Sequence, residues 1–509
     1  MLTNWSTFRF LLGTVATAGL LGLQSLAVTA QETPMPKSPI LEAEDTAAEL
    51  QPQRPKPPPN AELEPMGNPL LFPTRPQEVD PTVRQAISLD EAIGLALQNN
   101  EALQNSRLEL EQQQAGLVAA RAALYPSLNT EFSLSRDSSS GIEASNTRIS
   151  ENSANPNLVL QGEESTNAAG TLGLVYNIYT GGERGAQIAR AEKLVDNSRL
   201  QVEVLSEETR FEATDAYYLL QGADAEVAIA QAAVEDASRS LRDARLLEEA
   251  GLGTRFDTLR AEGDLATANE ALTRSIADQR NARRRLAQIL SVGQKVELTA
   301  ADPIEEAGVW DMSLDESIVQ AYKNRAELEQ QLVQIEVSEQ ERFIALSAIQ
   351  PQVDFLANYS YSNNFDDSVG LVDGYSFAAR VTWNFFDGGR AFAQARSADR
   401  QMDIAKTTFA QQRNQIRFEV EESYYNLISN KENITSTRIN LTRFEEALRL
   451  ARLRFQAGVG TQTDVINAQR DLADARGRYL QAIIGYNQSL NQLQRSVSNL
   501  PENKLFDVE

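Results

Sequence analysis

Ala250-Gly251-Leu252-Gly253-Thr254-Arg255-Phe256-Asp257 returns as Ala457-Gly458-Val459-Gly460-Thr461-Gln462-Thr463-Asp464, 207 residues further along the chain. Gly181-Gly182 with Gly388-Gly389 and Tyr217-Tyr218 with Tyr424-Tyr425 share that offset. Upstream the offset is 225, which relates Ser88-Leu89-Asp90-Glu91 to Ser313-Leu314-Asp315-Glu316 and Pro126 to Pro351. The chain is therefore one structural unit duplicated. The 18-residue difference between the offsets falls between Pro126 and Gly181. A repeat of this length is a folded unit in its own right, not a solenoid module.

Each unit alternates two periodicities. An opening helix spans 89–124 in the first unit and 314–349 in the second, and Pro126 and Pro351 end these helices because proline disfavours helix in the residue before it. Segments of period two follow. Val353, Phe355, Ala357, Tyr359 and Tyr361 share one face of 352–362, and Phe377, Ala379, Val381, Trp383 and Phe385 share one face of 376–386. Leu128, Phe132 and Leu134, then Leu172, Leu174, Tyr176 and Ile178, repeat the pattern in the first unit. Alternation with aromatics near the Pro and Gly-Gly ends is the pattern of a transmembrane β-strand, the alternative being a soluble hairpin with one wet face. The hairpin loops run over 136–168 and 363–375, and the first carries the 18-residue excess, rich in Ser, Asn, Glu and Gly.

Gly181-Gly182 and Gly388-Gly389 mark the passage from strand to helix, where glycine supplies backbone freedom. The proline-free stretches 183–250 and 390–457 that follow would be helices roughly 100 Å long at about 1.5 Å per residue. Leu441, Phe444, Leu448, Ala451 and Phe455 step by threes and fours, and Val234, Ala237, Leu241 and Ala244 take matching positions in the first unit, a coiled-coil spacing. The Ala-Gly-x-Gly-Thr motif turns the chain into return helices over 254–291 and 461–496. A return helix stacked end to end on an opening helix totals roughly 110 Å, which matches the long helix. That stacking places the linker, with Pro303 and Trp310, halfway up a helical body. The Tyr pairs lie at the same level, where helix packing explains them better than gating.

Composition removes most chemistry. The chain has no cysteine and no histidine, which excludes thiol nucleophiles, disulfides, Cys/His zinc sites and imidazole catalysis. No phosphate loop or metal-spaced carboxylate cluster appears, and no cofactor is expected. A net charge of −24 argues against a nucleic-acid partner. Arg9 is the only charged residue among the first 30, and the apolar stretch Phe10 to Leu23 precedes Val28-Thr29-Ala30. This reads as a secretory signal peptide, with a membrane anchor as the alternative. Residues 31–82 hold 13 of the 18 prolines and read as a disordered or polyproline-like extension, either a spacer or an inert tail. The resulting divisions are a signal peptide 1–30, a proline-rich extension 31–82, a first repeat 83–291, a linker 292–312, a second repeat 313–497 and a C-terminal tail 498–509.

Four strands cannot close a barrel, and lipid does not tolerate an open sheet edge, so the chain must oligomerise. The fold class expected is an α+β membrane protein. The alternative to a transport duct is a secreted coiled-coil stalk with a membrane anchor. Hairpins in both units, and helices that run out and back, favour the duct. A carboxylate enzyme has little support.

The duplicated unit, the strand–Gly-Gly–long-helix junction and the Ala-Gly-[Leu/Val]-Gly-Thr-x-x-Asp turn resemble the TolC-type outer membrane efflux proteins, over about residues 86–497. The resemblance implies a homotrimer in the outer membrane of a Gram-negative-type envelope, in contact with outer-membrane lipid. It implies a barrel of about 12 strands, four from each chain, continuous with a periplasmic α-helical barrel. It implies a passive exit duct for efflux or type I secretion, loaded by a periplasmic adaptor protein and an inner-membrane transporter of RND, ABC or MFS type. By position, Asp464 and Asp257 correspond to carboxylates that ring the periplasmic aperture, and Asn467 stands where the next ring position is often Asp. Gly251, Gly253, Thr254, Gly458, Gly460 and Thr461 correspond to turns contacted by the adaptor. Helix capping is an alternative account of Asp257 and Asp464, and simple chain reversal accounts for the glycines though not for the repeated Thr.

Overall fold

The computed structural model describes residues 74–75, 83–138, 147–149, 164–293, 295–366 and 370–498. The signal peptide, nearly all of the proline-rich extension, most of the first hairpin loop and the C-terminal tail beyond Ser498 lie outside the described residues. The elements run β1 (Val83–Ile87), α1 (Leu89–Asn99), α2 (Glu101–Ala122), β2 (Ser127–Ser138), β3 (Glu164–Tyr179), α3 (Glu183–Glu249), α4 (Arg255–Ile289) and β4 (Val296–Ala300). The second half runs α5 (Leu314–Asn324), α6 (Ala326–Ser347), β5 (Gln352–Asn364), β6 (Leu371–Thr382), α7 (Arg390–Gln456) and α8 (Gln462–Val497). The duplication read from the sequence is thus a duplication of structure. The shared Ser-Leu-Asp-Glu motif is a capping box in both copies, formed by Ser88 with Glu91 and by Ser313 with Glu316.

The long helices α3 and α7 have 67 residues each, roughly 100 Å, and each is flanked by shorter helices. Away from the sheet the lateral order is α4–α3–α8–α7, and toward the sheet it is α2–α3–α6–α7. The coiled-coil positions meet as expected: Leu241 and Ala244 pack on Ala261, and Leu448 packs on Val465 and Leu472 with Leu441, Phe444, Ala451 and Phe455 alongside.

The opening helix is not continuous. It breaks at Asn100 in the first unit and at Arg325 in the second, where extended ψ angles separate an 11-residue helix from a 22-residue one. The column beside α3 is therefore α4 plus α2, of 35 and 22 residues, roughly 85 Å and not the 110 Å expected. The break serves the end-to-end joint itself. Asn100 Oδ1 accepts from Leu103 N at 3.0 Å, which caps α2, and its Nδ2 donates to Ile289 O at 3.3 Å, at the end of α4. In the second unit Arg325 Nη1 donates to Ser496 O at 3.3 Å, at the end of α8. A cation suits the carbonyl end of a helix.

The linker contains an element the sequence did not announce. β4 pairs in parallel with β1, from Val83↔Val296 to Ile87↔Ala300. Val296 and Leu298 join Ile87, Ala216, Tyr217 and Leu220 in the largest core cluster. Tyr217 is fully buried. Its hydroxyl donates to Asp302 Oδ2 at 2.7 Å and accepts from Asp302 N at 3.2 Å, and Asp302 Oδ2 also accepts from Leu89 N at 2.7 Å. The Tyr pair of the first unit is thus a packing device at the linker level.

The four strands form one antiparallel sheet in the order β2-β3-β5-β6. Register puts Leu128, Leu174, Ala357 and Phe377 in one row, and Thr130, Leu172, Tyr359 and Tyr375 in the next of that face. The opposite face carries Asn129, Gly173, Asn358 and Ser376 in one row and Glu131, Thr171, Ser360 and Gly374 in another. One face is mainly apolar, interrupted by Thr130 and, toward the hairpin loops, by Asn363 and Asp373, and the other is mainly polar, as the alternation required. Tyr361 lies across Gly170, where a Cβ would collide with its ring, and its ring centroid lies 6.1 Å from that of Phe132. β6 ends at Thr382 instead of Phe386, because β5 begins at Gln352 and offers no partner beyond that point. Within one chain β2 and β6 are open edges.

Candidate functional site

At the end of the helical body remote from the sheet, α3 closes in a complete Schellman cap. Gly251, with φ of 72°, donates to Glu248 O at 3.0 Å, and Leu252 donates to Leu247 O at 2.8 Å. The second turn repeats this: Gly458, with φ of 73°, donates to Phe455 O at 3.0 Å and Val459 to Arg454 O at 3.0 Å. Only glycine takes this conformation without penalty. Gly253 and Gly460 are constrained differently. A Cβ there would meet Leu247 Cβ at 3.0 Å and Phe455 N at 3.0 Å, respectively, so a side chain at either would press on the last turn of the preceding helix.

The repeated Thr has an equally local cause. Thr254 and Thr461 are the N-caps of α4 and α8, and Asp257 and Asp464 complete capping boxes with them. Thr254 N donates to Asp257 Oδ2 at 3.2 Å, and Asp257 N donates back to Thr254 Oγ1 at 3.3 Å. Thr461 N donates to Asp464 Oδ2 at 2.9 Å, and Asp464 N donates back to Thr461 Oγ1 at 3.2 Å. The Thr461 backbone N–H, then its hydroxyl, hold the Asp464 carboxyl below the usual aspartate range. The capping account of these carboxylates, and a cause for the Thr, are therefore both present in the geometry.

The two turns lie together. Arg260 Nη1 donates to Thr463 Oγ1 at 3.1 Å, Gln462 Nε2 to Ser240 O at 3.3 Å, and Arg452 Nη2 pairs with Asp236 at 3.0 Å. Asn467 accepts from Arg470 of its own helix at 2.8 Å. Gly181, Gly182, Gly388 and Gly389 are at the other end of the long helices, all with positive φ, where Gly182 and Gly389 are the N-caps of α3 and α7. There Asp387 Oδ2 accepts from Ala391 N at 2.8 Å, and Thr180 Oγ1 accepts from Arg184 N at 3.1 Å. Sequence reading missed the ties from Arg260 and Arg452. It also passed over Leu252, Phe256 and Val459, which stand exposed on the turns. Apolar side chains inside otherwise polar turns were the available signal. Among the described residues no group of acidic side chains could hold a metal ion, and no helix is long and apolar enough to cross a membrane.

A sheet with one apolar face on proline-free helices of this length, closed by two capped turns, is the architecture of a known family. The family model described as outer membrane efflux protein matches residues 92–292 and 317–499, which are most of both repeats. The chain belongs to the outer membrane efflux protein family. Protein CyaE of Bordetella pertussis is 24% identical over 402 residues, covering 77% of this chain and 80% of that one. Outer membrane efflux protein BepC of Brucella suis is 22% identical over 402 residues, covering 78% and 82%. The CmeC outer membrane channel of Campylobacter jejuni, at 15% identity, superimposes with a TM-score of 0.70 over 80% of this chain and 85% of that one. As a member of this TolC-type efflux family, the chain is an outer-membrane channel protein extending into the periplasm, with an efflux or secretion role and no enzymatic one.

Proposed function

We propose that three copies of the chain close a barrel of about 12 strands, four from each, over a continuous helical tunnel. The assembly is the exit duct of tripartite efflux or type I secretion systems. The observation that carries this reading is the four-stranded sheet, mainly apolar on one face and open at both edges, seated on helices of 67 residues. Lipid requires such edges to be paired. The turns at 251–254 and 458–461 are the surface for a periplasmic adaptor, which connects the duct to an inner-membrane transporter of RND, ABC or MFS type. The exposed Leu252, Phe256 and Val459 support that role. Asp464, and Asp257 with it, set the charge of the periplasmic aperture, and Asn467 leaves its next level neutral. The divisions at 1–30, 31–82, 83–291, 292–312, 313–497 and 498–509 follow as signal peptide, extension, repeat, linker, repeat and tail.

Single-channel conductance of the purified protein in a planar lipid bilayer tests the reading. The comparison variant is Asp257→Asn with Asp464→Asn, because asparagine keeps an oxygen for the capping box and removes only the charge. Cation-selective steps that lose selectivity in the variant are expected. A folded oligomer that never conducts would refute the duct, and unchanged selectivity would refute the aperture assignment.

A further inference from the structure

The two hairpins have the same register under the duplication. Ser127↔Val175 in the first becomes Gln352↔Thr382 in the second when β2 is advanced by 225 and β3 by 207, and that is the pairing observed. Leu128↔Leu174 likewise becomes the observed Val353↔Val381. The seam between the two units, β3 against β5, is the third kind of contact, and one chain holds a single example of it. We infer that β6 of one copy pairs with β2 of the next in the register that the β3–β5 seam dictates. The inference rests on the closure of copies into a barrel proposed above, and it specifies which residues meet.

The same offsets carry Leu174↔Ala357 to Val381↔Phe132 and Leu172↔Tyr359 to Ala379↔Leu134. Both derived pairs lie on the apolar face. Gly173↔Asn358 becomes Arg380↔Ser133, and Val175↔Leu356 becomes Thr382↔Glu131. Both lie on the polar face. Arg380 of one copy is then the diagonal neighbour of Glu131 in the next, within reach of long side chains. Apolar meets apolar because the duplication preserves the faces, but the meeting of opposite charges is an added agreement, since the counterparts of Arg380 and Glu131 are Gly173 and Leu356. A slip of one residue would set every polar side chain of β2 against lipid. The seam also explains why β6 stops at Thr382 in the single chain. Tyr176↔Phe355 becomes Trp383↔Thr130, so the next copy supplies the partner that β5 does not.

The helices support the same operation. Tyr218 of α3 is 6% exposed and lies in a core cluster with Ile484 of α8 from the other unit. Its duplicate Tyr425 on α7 is 60% exposed, at the edge of the chain that no second unit covers. The residue related to Ile484 is Ala277 of α4, which is exposed at the opposite edge. The edge formed by α7 thus meets the edge formed by α2 and α4 of the next copy.

The natural chain has no cysteine, so disulfide trapping needs no background removal. Directly opposed residues in an antiparallel pair have Cα atoms about 4.5–5.5 Å apart, which a disulfide spans, whereas diagonal ones at about 7–8 Å exceed its reach. Phe132 and Val381 sit on opposite edges of one sheet, three strand spacings apart, and Val381 lies eight residues along β6 from the row of Phe132, Gly170, Tyr361 and Asp373; the separation is roughly 30 Å, so any bridge between them joins two chains. The full-length protein is to be oxidised in outer-membrane vesicles with Phe132→Cys plus Val381→Cys, with Ser133→Cys plus Arg380→Cys, and with the diagonal pair Leu134→Cys plus Val381→Cys. The first two should give covalent trimers on a non-reducing denaturing gel, and the third should not. Bridging of the diagonal pair in place of the first would overturn the register. Absence of bridging in all three, with native mass still reporting an oligomer, would overturn the β6–β2 seam. A native mass of one chain would overturn barrel closure itself.

Discussion

Replacing Arg325 with methionine should loosen the joint between α6 and α8 while leaving the rest of the helical body intact. The Arg325 side chain is 6% exposed and reaches three elements at once. It binds Glu327 in two-pronged fashion at 3.0 and 2.8 Å, Glu419 of α7 at 2.9 Å, and the Ser496 carbonyl at 3.3 Å. Removing one partner of a buried ion pair costs about 3–5 kcal/mol. Glu419 is partly solvated and Glu327 keeps Arg495 at 3.0 Å, so the lower end, about 3 kcal/mol, applies. At about 1.4 kcal/mol per factor of ten, opening of this joint should become on the order of a hundredfold more frequent. Amide hydrogen exchange by mass spectrometry on the intact oligomer measures this directly. Peptides covering the start of α6 and the end of α8 should exchange faster by that factor, and peptides from the middle of α3 should not change.

The pH dependence follows from the same residues. Burial alone would raise the Glu327 carboxyl, but the Arg325 hydrogen bond and the charges of Arg325 and Arg495 outweigh it and hold the group below the ordinary glutamate range. A depressed carboxyl contributes stability above its unfolded value of about 4.3, and that contribution is lost as pH falls through the folded value. Without Arg325 the depression shrinks, so acid loosening should begin at higher pH in the variant than in the wild type. Unchanged exchange at both peptides, or an unchanged acid midpoint, would refute the assignment of this arginine as the clamp of the joint.

Two further outcomes bear on the turns. Because the Thr461 backbone holds the Asp464 carboxyl down, cation selectivity of the duct should persist as pH falls through about 3.9, the ordinary aspartate value; selectivity that fades well above it, measured by reversal potentials, would show that repulsion around the threefold axis overrides the cap. Gly458→Val with Gly460→Val puts a branched side chain at a φ of 73° and another against Phe455 N. Oligomers should form and export should fail, and normal export in cells would remove these turns from the adaptor surface.

The large features of the fold were legible because each rests on a strong local signal. Period-two alternation announced the strands, 67-residue helices followed from the absence of proline, and the turns were marked by paired glycines. The misses share one physical character: they are decided by partners distant in sequence. β1 and β4 are five residues each and gain their meaning only from one another and from Tyr217. The helix break at Asn100 had a visible cue, since Asn99-Asn100 is a capping pair, but Arg325 at the equivalent site gave none. Its role depends on Ser496 and Glu419, which no local pattern could associate with it. At the turns the carboxylates were legible as caps, but the Thr that completes each box was not connected with them, and the Arg260–Thr463 tie required the two hairpins to be brought together.

The arrangement of the sheet carries a consequence for how the molecule is made. The α3–α4 and α7–α8 hairpins join residues that follow one another in the chain, and such local contacts form quickly. The β3–β5 seam joins Leu174 to Ala357, and the proposed β6–β2 seam would join different polypeptides. Closing long loops before gaining contacts is slow, and association of chains is slower still at low concentration. By this order the helical hairpins and the two β-hairpins form first, and the seams between β-hairpins close last. The exposed apolar face of the sheet, and not the helical body, is then the part of the chain that must be kept from aggregating until the copies meet.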